Sequence, residues 1–260
     1  MGFPALNAPG SLNWLVSCRS VSEAKLAARH GVPIIDFKEP GRGALEATPV
    51  SVWRRATDVV PMQWPGACLS AALGESPDST CLAAELPNHF RFAKAGPSGL
   101  ASLDAIQAHW RGLRGRLPRS VELVAVAYAD HSVAGCPAVE AIIAQASQDG
   151  LKYVLVDTFH KQGQSLIDLH SSNVIRGWID SAIKSGLWIS LAGSLQLKHC
   201  QQLVSDGAVP HCWGARGDVC VPSKTARRTG ALDPERLRLW AAFIADEAST
   251  RSAPSSLQNC

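Results

Sequence analysis

Several features are missing from this 260-residue chain, and each absence removes a class of function. No stretch approaches the ~20 consecutive apolar residues that a membrane-spanning helix needs. Met1 to Gly10 lack the basic start and long apolar centre of a signal peptide, so a cytoplasmic protein with no membrane partner is expected. Neither sign of charge dominates. The 25 Lys and Arg against 22 Asp and Glu leave a net charge of +3, too little to argue for a nucleic-acid partner. There is no CxxC pair among the eight cysteines, at 18, 68, 81, 136, 200, 212, 220 and 260. A chain of this length needs no disulfides to build a core, and the cytosol keeps thiols reduced. Cys18, Cys68 and Cys212 fall in apolar runs and read as small core residues. The set His199, Cys200, His211, Cys212 and Cys220 matches no standard zinc spacing, so no metal is expected. Neither GxGxxG nor GxxxxGK[ST] follows the first strand, which removes the usual signal of a nucleotide-binding sheet.

What is present is a strict alternation. Short apolar runs read as strands at Leu12–Ser17, Pro33–Lys38, Ala67–Ala72, Phe90–Lys94, Val121–Tyr128, Tyr153–Asp157, Leu187–Ala192 and Val209–Trp213. Helical patterns lie between them. Ser20 with Glu23 three residues on predicts a capping box at the first helix. Thr48-Pro49 predicts the start of the second, with Pro at the first helical position. Further helices are expected over Asp78–Leu86, Leu103–Leu113, Pro137–Gln148, part of Ser165–Lys184, Gln196–Val204 and Pro234–Ala248. Eight such units predict a parallel sheet closed into a (β/α)8 barrel, a single catalytic domain over residues 1–248, with an open doubly wound sheet as the rival. The Ser-rich tail, 249–260, is expected to be disordered.

Active sites of such barrels lie at the C-terminal ends of the strands. Here those ends carry Asp36 and Lys38, Ser70 with Glu75 beyond it, Lys94, Tyr128 and Asp130, Asp157 and, in the following loop, Lys161. Asp36 and Lys38 are two residues apart and share one side of their strand. One reading of these ions is a set of salt bridges that plugs the barrel. The other is chemistry: a lysine among other cations becomes a nucleophilic amine able to form a Schiff base, and neighbouring carboxylates move protons. Gly193-Ser194 after the seventh strand and Gly214-Ala215-Arg216-Gly217 after the eighth suit a phosphate held by backbone N–H groups and a guanidinium. Arg42, Arg227 and Arg228 are further candidate anion contacts.

Six segments carry a resemblance. They are Ile34-Ile35-Asp36-Phe37-Lys38-Glu39-Pro40-Gly41-Arg42-Gly43-Ala44-Leu45, Ser70-Ala71-Ala72-Leu73-Gly74-Glu75, Ala127-Tyr128-Ala129-Asp130, Asp157-Thr158-Phe159-His160-Lys161, Leu191-Ala192-Gly193-Ser194-Leu195 and Arg216-Gly217. In collinear order across about residues 12 to 245, they resemble the (5-formylfuran-3-yl)methyl phosphate synthases. The resemblance implies a TIM-barrel lyase that joins two molecules of glyceraldehyde 3-phosphate, losing phosphate and water, in the biosynthesis of methanofuran-type one-carbon carriers. It implies no cofactor. It places the Schiff-base lysine at Lys38, a second catalytic lysine at Lys94, and acidic or basic partners at Asp36, Asp157 and Lys161. Gln162 and Asp218 depart from the family pattern, and a carboxylate beside a phosphate loop is unfavourable unless Asp218 points away. The alternatives are another class I aldolase acting on a phosphorylated sugar and a catalytically silent phosphate-binding barrel. Barrels of this kind commonly self-associate, so a homo-oligomer is expected.

Overall fold

The computed structural model describes residues 12–76, 78–160, 164–222 and 228–252. Eight strands, β1 (Asn13–Cys18), β2 (Ile34–Phe37), β3 (Cys68–Glu75), β4 (Phe92–Gly96), β5 (Glu122–Tyr128), β6 (Tyr153–Asp157), β7 (Trp188–Leu191) and β8 (Cys212–Ala215), close in sequence order. Every pairing is parallel, including β1 with β8. The closed ring rules out the open sheet. The strands are apolar on both faces because one face lines the barrel and the other meets the helices. In β5, Val124, Val126 and Tyr128 belong to the interior cluster, while Leu123, Ala125 and Ala127 belong to the outer one.

The helices are α1 (Val21–Arg29), α2 (Val50–Gln63), α3 (Ser79–Ala83), α4 (Leu103–Arg114), α5 (His131–Ala134), α6 (Val139–Gln148), α7 (Leu166–Leu169), α8 (Ser172–Lys184), α9 (Leu197–Ser205) and α10 (Pro234–Ser252). Two of them, α5 and α7, are single turns in the loops after β5 and β6 that periodicity could not announce. The long α4 shows why the others form. The Ser102 hydroxyl accepts from the Ala105 N–H at 3.2 Å, and Ile106, Trp110 and Leu113 bury one stripe against the barrel. The last helix packs back on the first strand, with Trp14 stacked on Trp240 at 6.2 Å. It continues to Ser252, past the expected end at Ala248; residues 253–260 lie outside the described ones. No helix among the described residues is long and apolar enough to cross a membrane.

The barrel interior is graded. Its lower part is a packed apolar plug in which Phe92, Tyr153 and Trp188 meet edge to face at 5.0 and 5.8 Å. Above it, toward the C-terminal ends of the strands, the inward positions turn polar: Ser17, Asp36, Ser70 and Lys94, all buried.

Candidate active site

Strand alternation sends every second side chain inward, and β2 uses it to aim Asp36 into the barrel. Asp36 stands in register with Ser17 of β1 and Ser70 of β3. Both hydroxyls donate to its carboxylate, Ser17 at 3.2 Å and Ser70 at 2.9 Å. The Lys94 ammonium donates to Asp36 Oδ1 and also to Ser70 Oγ at 3.1 Å. Burial pushes the Asp36 carboxyl up, but Lys94, then Lys38 and the Lys94 and Ser70 hydrogen bonds, bring it below the ordinary aspartate range. Asp36 is therefore a fixed negative charge between two lysines.

The second pair is looser. Lys38 Nζ lies 3.7 Å from Asp157 Oδ2, while Asp157 Oδ1 accepts from the Thr158 N–H at 2.8 Å. Lys38 is 8% exposed and Lys94 3%. Asp130 was expected among the catalytic carboxylates. Its two oxygens instead accept from the backbone N–H groups of Phe159 and His160, each at 2.7 Å. That fixes the loop that leads into Lys161, which lies outside the described residues.

The phosphate candidates divide in the same way. Gly193 and Ser194 both adopt positive φ, 98° and 55°, at the C-terminal end of β7. A Cβ on Gly193 would sit 2.9 Å from the Thr158 side chain, so glycine is what lets this loop close on the β6 loop. Gly214 faces Ala192, and a Cβ there would also come within 2.9 Å. Arg216 was read as a bidentate anion partner, and its bidentate partner is Glu23. Nη1 donates to Glu23 Oε2 at 2.6 Å and Nη2 to Oε1 at 3.2 Å. Its other three donors reach the carbonyls of Ser17, Arg228 and Gly230, each at 2.8 Å. All five N–H groups are thus held by the protein, and Arg216 ties the chain after β8 to α1. This explains half of the capping box. The Ser20 hydroxyl accepts from Glu23 N at 3.2 Å as expected, but the Glu23 carboxylate accepts from Arg19 N and Arg216.

Of the other cations, Arg42 is exposed and Arg227 lies outside the described residues. Arg228 is half-buried, donates to the Gly43 carbonyl at 3.2 Å and lies within electrostatic reach of Asp157. The departure at Asp218 is harmless to an anion. After Gly217, in the 3-10 turn Gly217–Val219, the Asp218 carboxylate accepts from Leu197 N and Trp240 Nε1, each at 3.0 Å, and pairs with Arg236 at 3.2 Å. It points outward, onto the start of α9. Among the described residues no three His, Cys, Asp or Glu side chains gather as metal ligands would.

Residues 14–241 match the 4-HFC-P synthase family. The chain belongs to that family. Its curated relatives agree. The chain is 29% identical to the (5-formylfuran-3-yl)methyl phosphate synthase of Methanothermobacter thermautotrophicus, over 86% of this chain and 95% of that protein. It is 28% identical to that of Methanocaldococcus jannaschii, over 86% and 96%. Solved structures share the fold alone. A phosphoribosylanthranilate isomerase from Thermotoga maritima superposes with a TM-score of 0.54 at 11% identity, covering 92% of this chain and 98% of that one. A deoxyribose phosphate aldolase from Aeropyrum pernix superposes at 0.51 and 8% identity, over 79% and 85%.

Two residues read at the strand ends were given no role from the sequence. Tyr128, inward on β5 and in register with Asp157, donates its hydroxyl to Glu75 Oε1 at 2.5 Å. Strict alternation from the inward Ser70 and Ala72 would send residue 75 outward, yet Glu75 meets Tyr128 inside.

Proposed function

We propose that this protein condenses two molecules of glyceraldehyde 3-phosphate into (5-formylfuran-3-yl)methyl phosphate, for methanofuran-type carriers, through a Schiff base on Lys38. The observation that carries the reading is the pair of lysine–carboxylate contacts sharing one barrel mouth. Lys94 is locked to Asp36 and Ser70, whereas Lys38 stands 3.7 Å from Asp157. A lysine that stands beside a carboxylate without being locked to it can pass it a proton and attack.

Lys38 adds to the aldehyde carbon of one triose, and water leaves to form the imine. A proton then moves from the adjacent carbon to Asp157, giving an enamine that attacks the second triose or its isomer. Asp36 stays ionised and anchors Lys94, so Lys94 can hold a phosphate or donate a proton to a leaving group. Lys161 shares that role. The loss of one phosphate and two waters balances the atoms of the furan product, and its aromaticity drives the sequence forward. The backbone of the Gly193-Ser194 and Gly214-to-Gly217 loops receives a phosphate, with Arg42 and Arg228 as the cations at the rim. Arg216 shapes the second loop from behind.

Borohydride trapping with glyceraldehyde 3-phosphate tests the assignment. Wild-type protein gains a stable adduct, and Lys38→Ala does not. An adduct that persists in Lys38→Ala and disappears in Lys94→Ala would move the nucleophile to Lys94. Product analysis with this triose alone separates the reading from another Schiff-base aldolase, because only furan formation yields a furan chromophore.

A further inference from the structure

Glu75 reaches the mouth only because the end of β3 is built to turn it there. The β3–β4 register shifts between Ala72 and Glu75, and Gly74 within that interval has φ +92°. A bulge of this kind re-aims a side chain, and glycine alone adopts the required φ without strain. The carboxylate then occupies the space over Gly96, where a Cβ would lie 1.9 Å from Glu75 Oε2. Two donors hold it: Tyr128 on Oε1 at 2.5 Å and the Ser98 N–H on Oε2 at 3.1 Å. A register break, a left-handed glycine, a missing side chain at 96 and two donors all serve one carboxylate. The proposed steps on Lys38 and Asp157 give it no task.

We infer that Tyr128 and Glu75 form a proton relay for the dehydration steps, with Tyr128 the catalytic acid toward the departing hydroxyl and Glu75 the positioning residue and proton store behind it. The inference rests on the condensation proposed above. Every water lost in that sequence needs a proton on a hydroxyl and, in the enamine-forming step, a proton taken from carbon. Asp157 takes the carbon proton. The C–O bond breaks with its electron pair going to oxygen, and the leaving hydroxyl takes the Tyr128 phenolic proton. Tyr128 is reprotonated by the Glu75 carboxylic acid. Glu75 is reloaded from Asp157 through Tyr128, its register neighbour, so one C–H proton and one hydroxyl depart as water with no net change on the protein.

The surroundings favour the protonated store. Burial pushes the Glu75 carboxyl above the ordinary glutamate range against the two hydrogen bonds, and Glu46 and Asp157 add to the rise. The titratable groups that face it are Glu46 beyond β2, Tyr128 on β5, Cys136 after α5 and Asp157 on β6. Burial also raises the Tyr128 phenol well above its usual value, with Glu75 and Asp157 contributing, so it stays a donor.

The test measures two things on wild type, Tyr128→Phe and Glu75→Gln: the borohydride adduct with glyceraldehyde 3-phosphate, and the rate of furan formation across pH. Both variants are expected to keep the adduct and to lose furan formation by about 100- to 10,000-fold, the range for a general acid. Because the relay works from protonated Glu75, wild-type turnover falls as pH rises through the Glu75 pKa, and Glu75→Gln lacks that limb. Glutamine can still accept from the Ser98 N–H through its one oxygen and donate its Nε2–H to the Tyr128 oxygen, so this variant carries the test if Tyr128→Phe fails to fold. A furan rate within about threefold of wild type in either variant overturns the relay and leaves the Schiff base standing. A slow Glu75→Gln enzyme that retains the alkaline limb also overturns it, because it reduces Glu75 to scaffolding. A wild-type protein that forms no adduct removes the condensation itself, and the relay with it.

Discussion

Two lysine–aspartate pairs share this barrel mouth, and they are built differently. Lys94 and Asp36 sit deeper, and the Ser17 and Ser70 hydroxyls complete the carboxylate's hydrogen bonds. Lys38 and Asp157 sit higher and 3.7 Å apart. The first arrangement suits permanent charge, because removing either ion strands the other in a low-dielectric interior. The second suits proton exchange and attack, because a carboxylate stands beside the amine to take its proton. Lysines two strands apart can thus have separate tasks, set by what their carboxylates touch.

Several changes would break or sharpen that contrast. Lys38→Ala should lower furan formation most, by about 10,000-fold or more as expected for a covalent nucleophile. Single-turnover assays alongside borohydride trapping check it. Asp36→Asn acts on the other pair and should lower stability as well as turnover. It leaves the Lys94 ammonium without its counter-charge, at a cost of about 3–5 kcal/mol measured by denaturant unfolding. Asp157→Asn should act mainly on turnover, down about 100-fold from loss of the proton acceptor, with a smaller change in stability. Equal stability losses in Asp36→Asn and Asp157→Asn would erase the distinction between the pairs. At the small end, Arg54→Ala breaks an exposed contact with Glu85 and should change stability by less than about 1 kcal/mol.

The pH dependence carries the same contrast between carboxylates. The Asp36 carboxyl is held below its ordinary value, so its contribution to stability is present above about pH 4 and lost as pH falls through the lowered value. Glu75 is raised, so its contribution is present in acid and lost as pH rises through its folded pKa. Urea unfolding across pH should show a low-pH loss that flattens in Asp36→Asn.

The alternation of apolar runs predicted all eight strands, and β6 came out at Tyr153–Asp157 as read. The Ser20 capping signal located the start of the first helix. The inward placement of Asp36, Lys94 and Asp157 followed from strand ends in a closed barrel. Local patterns were silent where partners are distant in sequence. The Glu23 carboxylate follows a serine at capping-box spacing, yet Arg216, 193 residues away, claims it. Asp130 ends a strand like a catalytic acid, yet two backbone N–H groups of another loop take both its oxygens.

By itself, then, the sequence determined the (β/α)8 order and the ring of ionisable residues at one end of it, because periodicity and strand-end position are local properties of a chain. The tertiary structure alone decided which of those ions are locked, which are loosely paired and which tie loops together. It also decided that Glu75 faces inward. A single bulge at Gly74 reverses the side that alternation assigns, and the empty space over Gly96 that receives the carboxylate belongs to the neighbouring strand.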